Sequence, residues 1–184
     1  MKIKYNAPVI LTLTLLSTVL LAVDQMAGDL ISNFFTVMGS MNTSDPLDYA
    51  RLFSHVLGHF DWTHLMGNFS FILLIGPILE EKYGSTAILM MILVTALVTA
   101  LLNIFFFPTG LMGASGIVFM LILLSSFTNI RSGEIPLTFI LIVVLFLAKE
   151  IINAFMLDNI SQFAHIIGGV CGSIFGVLLT KEKT

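Results

Sequence analysis

Charge is what this sequence has least of. Of its 184 residues only 10% are Asp, Glu, Lys or Arg, 57% are hydrophobic, and the mean hydropathy is +1.02. A soluble domain keeps roughly a quarter of its residues charged, so most of this chain is excluded from a water-facing surface and belongs in a bilayer. Cysteine is nearly absent as well. Cys171 stands alone, which excludes an intramolecular disulfide and a thiolate-based metal site. The basic residues are few and scattered and the net charge is −3, so there is no cationic patch with interleaved aromatics and nucleic acid is set aside as a partner. Neither GxxxxGK[ST] nor GxGxxG occurs, and nucleotide-driven chemistry therefore lacks its phosphate cradle.

What the chain does have is long apolar runs. Crossing the hydrocarbon core takes about 20 mostly apolar residues in a helix, and six stretches qualify: 8–24, 64–80, 86–106, 114–130, 135–152 and 161–180. The expected fold is all-α, a six-helix transmembrane bundle forming one domain over 1–184. The first stretch follows Met1-Lys2-Ile3-Lys4 and has the outline of a signal peptide, but no clear AxA site follows it, and it is read as a span.

Six spans put both ends of the chain on one side. With those ends cytoplasmic, Lys2, Lys4, Lys82, Arg131, Lys181 and Lys183 face inward and only Arg51 and Lys149 face outward, which is the bias the positive-inside rule requires. The first outer loop, 25–63, is then long. Tyr49, Leu52, Phe53, Val56, Leu57 and Phe60 recur in it at helical spacing, which predicts a helix lying in the membrane interface.

Polar residues within spans are costly in lipid and mark candidate sites. Gly113-Ala114-Ser115-Gly116 opens the fourth span. Ser115 there sits at a helix N-terminus, where unpaired N–H groups and the positive end of the dipole favour a developing oxyanion. Alternatively, the motif is only a tight start to a helix with a small packing face. In the sixth span Ala164, Gly168, Gly172 and Gly176 recur every four residues, a smooth strip for close helix approach, and His165 borders it. A lone histidine there could be a packing residue, but paired with GxSG at matched depth it becomes a candidate base. Gly116 and Gly168 would permit the two helices to touch.

His64 and Asn68 are four apart at the start of the second span, share one face, and carry side chains suited to donating to an oxyanion. His55 and His59 are also four apart, which admits a metal reading, although no HExxH or third-ligand pattern accompanies them and no metal or cofactor is expected. Glu80-Glu81-Lys82-Tyr83-Gly84 at the inner end of that span reads equally as helix-end charge with a glycine cap.

Taken in order, HFDWTHLMGN, GASG and AHIIGGVCG resemble the rhomboid intramembrane serine proteases, over roughly 51–176. The resemblance implies a compact six-span bacterial form in the inner membrane, a Ser/His dyad without an acidic third member, no cofactor, and cleavage of transmembrane protein substrates within the bilayer. It maps the nucleophile to Ser115 and the base to His165, and the oxyanion donors to Asn68 and His64 beside Gly113. Arg51 corresponds to the family's loop arginine and Glu80 to its second-span glutamate, and Gly116, Gly168 and Gly172 to its packing glycines. Two departures stand out: Ala50 precedes Arg51 where the family usually has Trp, and Phe119 stands where a Tyr often lies beneath the histidine.

The rival within the family is a catalytically inactive relative that binds or escorts membrane clients, which the presence of both Ser115 and His165 opposes. A transporter or channel would more often show mid-membrane charges or paired interrupted helices. Other intramembrane protease chemistries lack their residues, with no HExxH and no pair of mid-span aspartates.

Overall fold

A computed structural model of the chain describes residues 2–28, 32–127 and 159–181, together with helical positions 137, 140, 141, 144, 145 and 148. Its elements are helices: α1 (Pro8–Ala27), α2 (Ser32–Phe35), α3 (Pro46–Ser54), α4 (Trp62–Tyr83), α5 (Ser85–Phe106), α6 (Ser115–Phe127) and α7 (Asn159–Lys181). Four stretches are long and apolar enough to cross a membrane, Pro8–Ala27, Trp62–Tyr83, Ser85–Phe106 and Gln162–Leu179. Helix α6 is apolar but has 13 residues. The predicted fifth span, 135–152, falls outside the described residues except at the isolated helical positions, and so do residues 128–130 at the end of the fourth.

Local chemistry sets the helix ends. Pro8 opens α1 where a missing N–H is harmless, and Gly28 closes it at φ 74°, donating its N–H to the Asp24 carbonyl. Asp45 and Asp61 cap α3 and α4, accepting from the Leu47 and His64 amides at 2.9 and 2.7 Å. Helix α5 ends at Phe106, just before Phe107-Pro108, where the proline disfavours helical geometry in the residue ahead of it.

The interfacial helix predicted from apolar spacing is shorter than that spacing. It stops at Ser54, and Val56, Leu57 and Phe60 lie in the turn beyond. The apolar residues also divide between two environments: Leu52 and Val56 are buried while Tyr49, Phe53 and Phe60 are exposed.

The helices are registered by polar contacts at their ends and by glycines in between. Glu80, near the end of α4, accepts the Val9 and Ile10 amides at 3.0 Å each and the Ser85 hydroxyl at 2.7 Å. One carboxylate thus caps the start of α1 and ties it to the α4–α5 corner. At the opposite end Trp62 Nε1 donates to Gln25 Oε1 at 2.8 Å, so α1 and α4 run antiparallel. A Cβ on Gly76 would lie 2.7 Å from Ile10 Cδ1, which shows how closely the two helices pass.

Helices α6 and α7 are closer still. A Cβ on Gly168 would overlap the Gly116 carbonyl oxygen, one on Gly172 would overlap that of Met120, and one on Gly176 would press on the Phe127 ring. Contacts advance along both chains together, so the two helices are parallel and start at the same end of the bundle. Their shared core includes Ile117, Met120, Leu121 and Leu124, all almost fully buried.

Replacing Glu80 by Ala would leave two amides of α1 and one hydroxyl without their acceptor. Unmet buried hydrogen bonds cost about 1–3 kcal/mol, so Glu80→Ala should lower the thermal midpoint in detergent by several degrees. An unchanged midpoint would show that the carboxylate does not hold α1.

Candidate active site

Ser115 is delivered by a short extended segment clamped among the loops at its end of the bundle. Val37 and Leu111 exchange both backbone hydrogen bonds, at 3.0 and 2.8 Å, as an isolated antiparallel bridge. Two residues further on, the Gly113 amide donates to the His55 carbonyl at 2.9 Å. Gly58 allows this turn to close on the segment, because a Cβ there would meet Met112 Sδ at 2.5 Å. The Val118 amide bonds back to the Ala114 carbonyl at 3.0 Å, so the amides of Ser115, Gly116 and Ile117 precede the first bond of α6. Ser115 itself is half-buried.

Gly113 has φ +129°, a conformation other residues rarely adopt. A Cβ on it would lie 2.7 Å from His64 Cε1, 2.9 Å from His64 Nε2 and 3.8 Å from Asn68 Nδ2. The two side chains from the first turns of α4 therefore converge on the backbone just ahead of Ser115. His64 is half-buried and stacks near Phe60, with ring centroids 5.9 Å apart, while Asn68 is buried.

His165 is 8% exposed and its ring lies 4.4 Å from that of Phe119, four residues beyond Ser115 and so one turn along the same face of α6. Gly116 makes room on the other side, its absent Cβ falling 3.3 Å from the Ala164 carbonyl oxygen. Ser115, His165, His64, Asn68 and Gly113 are thus gathered at one end of the bundle. Glu80 lies at the other, and Gly172 packs further along α7.

Arg51 is near the loop rather than the serine. Its guanidinium meets Asp48 Oδ1 at 2.6 Å and the Asn33 carbonyl at 3.0 Å, while Asp48 Oδ2 accepts the Asn42 amide at 2.8 Å. The Asn42 amide first, and then Arg51, lowers the Asp48 pKa. These bonds gather three points of the loop without a tryptophan at position 50.

Sequence reasoning noticed His55 and His59 only as a metal alternative. Both are committed to other bonds: His55 Nε2 to the Ala96 carbonyl at 3.1 Å, His59 Nδ1 to the Leu57 carbonyl at 3.2 Å, and His59 Nε2 to Asn68 Nδ2 at 3.0 Å. The described residues contain no group of three or more His, Cys, Asp or Glu side chains placed to hold a metal. No sequence periodicity announced these contacts, because they join a turn to a helix.

Long apolar helices joined through glycine faces, with a serine and a histidine brought to the same end, define a helical integral membrane protein. The Rhomboid domain profile matches residues 46–182, and the chain belongs to the rhomboid family. It is 25% identical over 136 residues to the rhomboid protease GlpG of Haemophilus influenzae, covering 72% of this chain and 71% of that one. All of α1 and α2 lies ahead of the profile match.

Burial pushes the pKa of both His55 and His59 down to about 4, with the neighbouring His64 a second cause for His59. An unfolded histidine titrates near 6.5, so as pH falls from about 6.5 towards 4 the unfolded chain takes up protons that the folded one refuses. Stability from these groups is full above that interval and declines through it, on the order of 3 kcal/mol for each imidazole. The thermal midpoint in detergent should fall between pH 7 and 4.5, less steeply in His55→Gln. A flat midpoint in the wild type would contradict burial of neutral imidazoles.

Proposed function

We propose that this protein is an intramembrane serine protease that hydrolyses peptide bonds in or near the transmembrane segments of other membrane proteins. Carrying this reading is the convergence of His64, Asn68 and Gly113 ahead of Ser115, with the His165 ring of α7 packed on Phe119, one turn along the serine's own helix. Membership of the rhomboid family supports it, as does likeness to a relative named as a rhomboid protease.

In this mechanism His165 takes the Ser115 Oγ proton as the oxygen attacks the scissile carbonyl, and then gives that proton to the leaving amine. Developing negative charge on the carbonyl oxygen is met by the Ser115 amide, by Asn68 Nδ2 and by His64, whose approach the bare Gly113 permits. Water, with His165 again as base, releases the acyl group from Ser115. Phe119 supports the imidazole by ring contact alone, since it has no hydroxyl to offer. The full chain is a six-span bundle with cytoplasmic ends in a bacterial inner membrane, and the site opens on the outer side, where loop 25–63 lies. The inactive, client-binding alternative gains nothing from a chain that retains both reacting groups.

A labelled fluorophosphonate should modify the detergent-purified protein at Ser115. Ser115→Ala and His165→Ala should each abolish cleavage of a single-span substrate without loss of folding, and turnover by either would overturn the dyad. Asn68→Ala should lower kcat less, by about 10²- to 10³-fold at most, because other donors remain.

Topology has a separate test. Cys171 is the only native cysteine and is buried, so Ser44→Cys adds a single reactive thiol on the exposed loop. A membrane-impermeant maleimide should label it from outside intact cells, and labelling only after lysis would reverse the orientation.

A further inference from the structure

The buried turn between α3 and α4 carries an imidazole that bonds to Asn68, a side chain that approaches Gly113 just ahead of Ser115. His59 is 2% exposed. Its Nδ1 lies 3.2 Å from the Leu57 carbonyl, which can only accept, so Nδ1 carries the proton. Burial keeps the ring neutral, and a neutral imidazole protonated at Nδ1 presents a bare acceptor at Nε2. That acceptor is 3.0 Å from the Asn68 amide.

Only the nitrogen end of Asn68 can satisfy it, since two acceptors facing one another would repel. The Leu57 carbonyl therefore dictates, through His59, which way round the Asn68 carboxamide sits. One Nδ2 hydrogen is spent on His59. The other is left for a second acceptor on the side of Gly113, towards which Nδ2 already points at 3.8 Å from the absent Cβ. Were the amide turned over, its oxygen would face the place where an oxyanion forms, and attraction would become repulsion.

We infer that His59 is a positioning residue of this site: through its fixed tautomer it holds the Asn68 carboxamide with the nitrogen towards the reacting carbonyl oxygen. The inference rests on the proposed hydrolytic function and adds a residue to it. The surrounding packing suits a fixed part, because the His59 ring also lies 5.0 Å from His64 and 5.5 Å from Phe69 between ring centroids.

Two conservative substitutions separate positioning from packing. The Gln carboxamide oxygen reaches about as far as Nε2 and can accept from Asn68, whereas Asn reaches only about as far as Nδ1. His59→Gln should keep kcat within about threefold of wild type, while His59→Asn should lose about 10- to 10²-fold in kcat with KM little changed, part of the cost of one oxyanion donor.

In the Asn68→Ala background the same His59→Asn change should cost less than about twofold, because the group it positions is gone. His59→Leu, also without an acceptor, takes the place of the Asn form if that does not fold. An equal penalty in both backgrounds, a loss confined to KM, or equal losses for the Gln and Asn forms would overturn the positioning role. Failure of the wild type to cleave or to label at Ser115 would instead overturn the hydrolytic reading itself.

Discussion

A contact between two backbones governs this molecule. The Gly168 face of α7 rests on the Gly116 carbonyl of α6, closer than any residue with a side chain would allow. In lipid, helices gain little from burying apolar side chains against each other, because the alternative surroundings are equally apolar, and close van der Waals packing takes over as the attraction. Here that packing also sets position. His165 is three residues before Gly168 and Ser115 is next to Gly116, so the contact that holds the two helices together also fixes how near the imidazole comes to the serine's helix. Phe119 supplies the floor beneath the ring.

Around that closely packed pair the candidate site is completed by loop backbone. A chain within a bilayer must satisfy its peptide groups internally, and the segment leading to Ser115 does so on the long loop between α1 and α4, through Val37 and His55. Two glycines make this compatible with the crowded surroundings: Gly58 admits the turn against Met112, and Gly113 leaves room for the His64 ring. The loop is therefore part of the site's frame. Its own shape is held by Arg51 through Asp48 and Asn33, which accounts for order in this loop with alanine at position 50.

The family was legible because its motifs combine residue type with order along the chain, which a glycine strip or a GxSG alone does not. Four of the long spans were legible from apolar length, since a bilayer imposes that length directly. The end of α3 was not. Leu52, Phe53 and Val56 continue a helical spacing past Ser54, but the spacing cannot say that Phe53 faces outward while Leu52 and Val56 turn to the core. His59 was seen without its partners for a related reason: its hydrogen bonds go to the Leu57 carbonyl and to Asn68 on the following helix, and neither contact leaves a periodic trace. The Val37–Leu111 bridge joins loop segments far apart in the chain, and it too has no signature beyond their being loops.

Helix α1 is fastened to α4 near both ends, by Glu80 at one and by Gln25 with Trp62 at the other. Its 20 residues span about 30 Å at 1.5 Å per residue, close to the thickness of a hydrocarbon core. Fastened in this way, it cannot slide or lean independently, so a bilayer of different thickness tilts the two helices as one strut. The first turns of α4 carry His64 and Asn68, and the mechanical state of the lipid is thereby transmitted to the polar end of the bundle through the contact of Gln25 with Trp62.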